Sequence, residues 1–196
     1  MQYIDYFEWI LNSDFLQKGA DALTMIEPAD LMHKEQRVEI KNNVRSISNM
    51  KLYCFNTSET NVVKLFPFFN HRKDEPKAPK ELNRFCDYIL LVQHEKGLFV
   101  FFIEMKRGDK GEAKKQLEAS SMFFDYVIRT ADRIKIENGF RNFDPEQVKC
   151  RKIIISEERS NKRMTKDNEI EDLDMNSVIL HSCYDDFRPI RYCDRN

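Results

Sequence analysis

GLFVFFIEMK, Gly97–Lys106, begins as a run of large apolar residues and ends on a glutamate and a lysine two positions apart. Side chains alternate across a strand, so Val100, Phe102, Glu104 and Lys106 share one face, and Phe99, Phe101, Ile103 and Met105 share the other. Both faces are apolar along most of the run, the mark of a central strand covered on both sides. The two opposite charges therefore arrive together where burial ends.

Upstream, residues 85–92 (FCDYILLV) form a second apolar run, separated from the first by a short polar turn. This pattern predicts a β-hairpin. If Glu95–Lys96 is a two-residue turn, His94 faces Gly97, and counting outward Asp87 faces Glu104. A four-residue loop gives the same pairing. A loop of three or five residues shifts the register, and a bulge would restore it. Opposed residues hold their Cβ atoms about 4.5–5.5 Å apart, so two carboxylates would stand side by side, with Lys106 one step along the same face.

Close carboxylates resist joint ionisation. A divalent cation removes that conflict, and Mg²⁺ takes oxygen ligands, usually one or two carboxylates with water and phosphate. Lys106 would then orient or help deprotonate the activated water, or stabilise charge on a phosphate. The alternative is a structural salt bridge at the end of the sheet. The E-x-K triplet occurs four times, at Glu39, Glu75, Glu104 and Glu112, so the triplet alone carries no weight. Its placement after a buried strand, opposite an aspartate, separates Glu104 from the rest.

The remaining chain reads as follows. Residues 3–16 predict a helix with Tyr3, Tyr6, Phe7, Ile10 and Leu11 at helical spacing. Residues 30–48 predict a second helix, capped by Asp30, with Leu31, Val38, Val44 and Ile47 as a weaker stripe. Residues 51–55 and 62–69 predict strands, and 71–81 (HRKDEPKAPKE) a mobile loop. A long helix is expected over 110–132, with Ala113, Leu117, Phe124 and Ala131 on its apolar side. Strands are expected at 151–156 (RKIIIS) and 177–183, separated by a flexible charged excursion at about 157–176. The tail from 184 gives no signal. The whole is one α/β domain over 1–196, a single mixed central sheet flanked by helices, with an N-terminal helical extension at about 1–29.

Composition bounds the partners. The chain of 196 residues is 41% hydrophobic with 15 phenylalanines, enough for a packed core, and its net charge of −1 advertises neither nucleic acid nor membrane. Any basic footprint must be local. Lys106, Arg107, Lys110, Lys114 and Lys115 surround the acids, with further clusters at Arg72–Lys80 and Arg159–Lys166. Each cluster also contains acids and reads equally as an ordinary solvated surface. Gly108 and Gly111 let the chain turn between strand and helix, and the helix N-terminus there favours phosphate. RGDKGE lacks the G-K-[ST] element of a P-loop.

Cys54, Cys86, Cys150, Cys183 and Cys193 show no C-x-x-C spacing and read as reduced thiols, which fits the cytoplasm. The four histidines give no zinc or nucleophile–base spacing. The acidic N-terminus is not a signal peptide, and no run is long enough to span a membrane. Trp9 reads as a core or dimer-interface residue rather than a platform for bases.

These residues resemble the PD-(D/E)XK nuclease superfamily, the restriction-endonuclease-like fold. The match is Asp87 in FCDYILL, Glu104 and Lys106 in FIEMK, and Gln116 in GEAKKQLEAS, covering roughly residues 30–156. The resemblance implies an αβββαβ core and metal-dependent hydrolysis of phosphodiester bonds, most readily in DNA, with Mg²⁺ or Mn²⁺. By the same resemblance, Asp87, Glu104 and the Met105 carbonyl hold the metal, Lys106 positions the nucleophile, and Gln116 reaches back toward the site or the scissile phosphate. A further acid from the helix before the sheet would be Glu35, with Glu39 behind it. A homodimer is common in the superfamily. Cys86 stands where many members have proline, and Ser120 stands where RecB-like members have tyrosine, so that subgroup is not assigned. Two other readings stay open: an inactive module of the same fold that binds nucleic acid or protein, and an RNA-cleaving nuclease of defence or toxin type.

Overall fold

A computed structural model describes residues 2–19, 22–29, 34–42, 44–55, 85–107, 111–156, 178–182 and 186–193. The elements in chain order are α1 (Tyr3–Ile10), β1 (Thr24–Glu27), β2 (Gln36–Glu39), β3 (Ile47–Cys54), β4 (Tyr88–His94), β5 (Gly97–Lys106), α2 (Gly111–Ile134), β6 (Val148–Ser156), β7 (Val178–Ser182) and α3 (Ile190–Cys193). The expected strand at 62–69, the loop at 71–81, the excursion at 157–176, and Lys110, His33, His71 and Cys183 lie outside the described residues.

The main sheet has five strands in the order β3-β4-β5-β6-β7. β3, β4 and β5 run antiparallel as a meander, while β6 and β7 lie parallel to β5 and to each other. β5 is the central strand, buried from Leu98 to Met105. One sheet face, built from Ile89, Leu91, Val100, Phe102 and Ile154, packs against Phe7 of α1 and Leu117 and Phe124 of α2. The other face, with Leu90, Phe99, Phe101, Ile103 and Ile155, is covered by Met25 and Val38 of a second, two-stranded sheet and by Phe187 and Tyr192 near the C-terminus.

Several expectations are corrected here. The helix expected at 30–48 is absent from the described part of that stretch. Gln36–Glu39 pairs antiparallel with Thr24–Glu27, and Ile47 already belongs to β3. Val38 is 1% exposed between outward-facing Arg37 and Glu39, a period of two that outweighs the weak helical stripe. The helix at 3–16 ends at Ile10. Asn12 then caps a 3₁₀ turn at Ser13–Phe15 by accepting from Asp14 N–H at 2.9 Å, the local side-chain competition that Asn, Ser and Asp offer a helix. Its Trp9 is exposed, stacked on Tyr6 rather than buried. The tail carries more structure than expected: Phe187 N–H donates to Glu39 O and Phe187 O accepts from Lys41 N–H, both at 2.9 Å, and so fastens it beside β2. The long helix and α1 thus cover one face, the two-stranded sheet and the short α3 cover the other, and a second sheet joins the single one expected.

No helix among the described residues is long and apolar enough to cross a membrane. Among the described residues, Cys54, Cys86, Cys150 and Cys193 are not joined in disulfides. His94 accepts from Lys96 N–H at the hairpin turn, and His181 pairs with the Tyr192 hydroxyl at 3.0 Å, so both serve the core.

Gly97 closes the hairpin with φ +126°, and a Cβ there would stand 2.3 Å from Gln147 O, where β6 begins alongside. Gly139 also has a left-handed φ, +80°, but has open space around it. Urea denaturation should therefore rank the two alanine variants. Gly139→Ala is expected to cost about 1–2 kcal/mol, the left-handed penalty alone, and Gly97→Ala distinctly more, because backbone must also move.

Candidate active site

The β4–β5 ladder pairs His94 with Gly97 and Tyr88 with Ile103, the register expected of a two-residue turn. Asp87 and Glu104 are the next positions outward. They interlock: Asp87 N–H donates to Glu104 Oε2 at 3.1 Å, and Asp87 Oδ2 accepts from Met105 N–H at 2.8 Å. Each acid thus holds a backbone amide on the opposite strand. Lys106 lies on the same face, its Nζ 2.6 Å from Glu104 Oε1, with 27% of its side chain exposed against 1% for Glu104. Oε1 is close to the ammonium yet accepts no aligned hydrogen bond among the described residues.

The electrostatics are those of acids crowded out of water. Burial, then the Glu104 charge, push Asp87 well above the usual carboxylate range, against the pull of Met105 N–H and Lys106. Burial also raises Glu104, although Lys106 and Asp87 N–H offset part of it. Burial alone would lower Lys106, but its ion pair with Glu104, with Asp87 and Glu27 behind it, more than compensates and holds the ammonium charged.

Glu27 is not a candidate from the sequence, and it is the third acid that these groups feel. It ends β1, as Glu104 stands near the end of β5, and an acid late in an apolar strand is the signal that could have found it. Its placement depends on two long-range anchors. The Tyr88 hydroxyl accepts from Ile26 N–H at 2.9 Å and donates to Ile26 O at 2.8 Å. Arg107 Nη2 donates to Glu27 O at 3.0 Å, Pro28 O at 2.6 Å and Lys34 O at 3.2 Å. Ser156 also escapes the sequence reading. It is buried, and it sits opposite Lys106 in the parallel β5–β6 register.

The other expected residues divide. Glu35 is 46% exposed and bound to Arg37 at 2.7 Å, while the acid that Asp87, Glu104 and Lys106 feel electrostatically is Glu27. Arg107 clamps backbone through its Nη2. Lys114 and Lys115 are exposed on the first turns of α2. Gln116 does reach back, but to backbone, donating to Phe85 O at 3.2 Å.

A hard cation fits this donor set in a limited way. Two carboxylates in conflict, one with an oxygen lacking an aligned donor, would both gain from a positive charge. Met105 directs its N–H toward β4, and the carbonyl of an extended residue lies on the same side as its own N–H. Among the described residues, no three His, Cys, Asp or Glu side chains are close enough to hold an ion together. The protein would therefore supply Asp87, Glu104 and the Met105 carbonyl, leaving the remaining positions to water and phosphate, a pattern that suits Mg²⁺ or Mn²⁺.

A raised carboxylate binds its proton more tightly in the folded chain than in the unfolded one. Its stabilising contribution is complete below the ordinary carboxylate range and is lost as pH rises through the raised values. The metal-free Asp87→Asn variant, which cannot ionise yet keeps an acceptor for Met105 N–H, is thus expected to melt above wild type at pH 7.5. The gain should vanish below about pH 4, as read by thermal denaturation in chelator. Comparison with known protein families, curated proteins and solved structures returned no match to this chain, so its functional reading rests on this geometry.

Proposed function

We propose that the chain is a divalent-metal-dependent nuclease of the PD-(D/E)XK type, hydrolysing phosphodiester bonds by activated water, with DNA as the first substrate to test. The observation that carries this reading is the interlocked Asp87–Glu104 pair, buried at the end of two adjacent strands with Lys106 on the same face. The chain order supports it as well: an antiparallel meander β3-β4-β5, a long helix and a strand parallel to β5 follow one another in the chain. The helix that precedes it is α1, separated from the meander by the β1–β2 sheet.

When bound, a divalent cation supplies a nucleophile at neutral pH and charge neutralisation on phosphate. The chain's own residues do the rest. Asp87 and Glu104 fix where the cation stands. Lys106, charged through its ion pair, is placed to orient the attacking water or meet charge developing on a phosphate oxygen. It cannot accept a proton while Glu104 holds it charged, so a role as base requires the pair to loosen. Lys114 and Lys115, exposed on the first turns of α2, offer sequence-blind phosphate contacts.

The Lys106–Glu104 ion pair also favours a second reading, a non-catalytic module whose acids are neutralised internally. Calorimetry with Mn²⁺ separates the two. A nuclease should bind the ion and lose binding in Glu104→Gln, whereas an inert module should show no heat. On plasmid, linear and single-stranded DNA and on RNA, Mn²⁺-dependent cleavage is expected to fall by about 10²–10³ in Glu104→Ala and Lys106→Ala, with circular dichroism unchanged. Activity equal to wild type in both variants would reject this site.

A further inference from the structure

The sheet alone does not hold Asp87. The β4–β5 ladder ends at Tyr88–Ile103 and the β3–β4 ladder at Cys54–Tyr88, one residue short of it. Beyond the ladders, Phe55 N–H donates to Asp87 O at 2.8 Å. The peptide just before Asp87 is gripped from the helix instead. Ser120 Oγ accepts from Cys86 N–H at 2.8 Å, and Gln116 Nε2 donates to Phe85 O at 3.2 Å.

That carbonyl and that amide belong to one peptide group, which is planar and points them in opposite directions. Residues 116 and 120 are four apart, so they share a helix face and are separated by about 6 Å along the axis. The peptide therefore spans one turn of α2, held at both ends. Ser120 is itself fixed: its hydroxyl donates to Gln116 O at 2.8 Å, which leaves the oxygen free to accept from Cys86. Both Ser120 and Cys86 are buried, so no water can substitute readily for either partner.

We propose that Ser120, together with Gln116, forms a latch that fixes the plane of the Phe85–Cys86 peptide and thereby sets where the Asp87 carboxylate stands, making Ser120 a positioning residue of the cation site. The inference rests on the metal-dependent reading above for the use of that carboxylate, but not for the latch itself. If the peptide is released, it can rotate, and Asp87 loses its hold on Met105 N–H and its alignment with Glu104. The helix that presents Lys114 and Lys115 would then also be the element that registers the acid against them.

The test uses the whole protein with Ser120→Ala and Ser120→Thr, the second retaining the hydroxyl. The first readout is Mn²⁺ affinity by calorimetry. The second, in metal-free protein, is amide exchange at Asp87 and Met105 against Phe101 at the centre of β5. Ser120→Ala is expected to weaken Mn²⁺ by about 10–100-fold and to speed exchange at Asp87 and Met105 while Phe101 stays protected. Ser120→Thr should restore both.

Unchanged affinity and exchange in Ser120→Ala would overturn the proposal. So would loss of protection at Phe101 equal to that at Met105, since that is global destabilisation. Should Ser120→Ala fail to fold, Gln116→Met, which releases only the other end of the peptide, is measured in the same two ways: faster exchange at Asp87 and Met105 with weaker Mn²⁺ supports the latch, and no change in either overturns it. Wild-type protein that takes up no Mn²⁺ sinks the metal reading, and the exchange measurement then decides the latch by itself.

Discussion

The register of the β4–β5 hairpin is the constraint on which the site depends. Strand side chains alternate, so a slip of one residue exchanges the two faces along the whole strand. Here both faces of β5 are buried and differently lined, by helices on one side and by a small sheet and the C-terminal segment on the other. A slip would set Phe99 and Phe101 against α1 and α2 and turn Glu104 toward Met25 and Val38. The tight turn excludes this, with Gly97 pressed against Gln147 O and the His94 ring accepting from Lys96. The facing of Asp87 and Glu104 is thus a by-product of core packing along both strands, which is why it is firm.

What that firmness produces is an unfavourable arrangement. Two acids lie where water is scarce, and one lysine neutralises one of them. Buried ion pairs are weak sources of stability, because desolvating the charges offsets much of their attraction. Replacing the cluster with apolar residues would give an easier sheet end. The protein instead directs backbone amides at the carboxylates, Asp87 N–H at Glu104 and Met105 N–H at Asp87. It anchors Tyr88 and Arg107 so that a third acid, Glu27, comes within electrostatic reach. Perturbed acids gather at functional sites and in structural ion-pair networks alike, and the proposed function takes the first of these two.

How much of this is legible in the sequence follows from how local each signal is. β5, its partner β4 and the helix α2 are readable because long apolar runs and a sustained 3.6 period leave few alternatives, and the facing acids follow from counting across a two-residue turn. β2 is easily misread, because four residues with one buried valine cannot outvote a chance helical stripe until the partner strand β1 is known. Glu27 and Glu35 are both ordinary glutamates in sequence. What distinguishes them is Arg107, 80 residues beyond the first, holding the β1–β2 connection against the end of β5. The clamp itself is illegible for the same reason, since a basic residue beside acids reads as a phosphate contact and only its placement shows Nη2 on three carbonyls. Gln116 reaches back as its place on α2 suggests, and only its target, a backbone carbonyl, depends on three-dimensional placement.

The mixed sheet also implies an order of assembly. β4 and β5 meet across two residues, and hairpins of that kind close in about 1–10 μs. The β5–β6 pairing must wait until the whole of α2 has been laid across the sheet, a far longer loop to close. The acids are therefore expected to become neighbours while still wet, and the cost of drying them falls on the later docking of α2. On that view kinetic φ-values would be high in β4 and β5 and low at Ser120, and the assembling chain would meet its cation, if it takes one, before its last helix is in place.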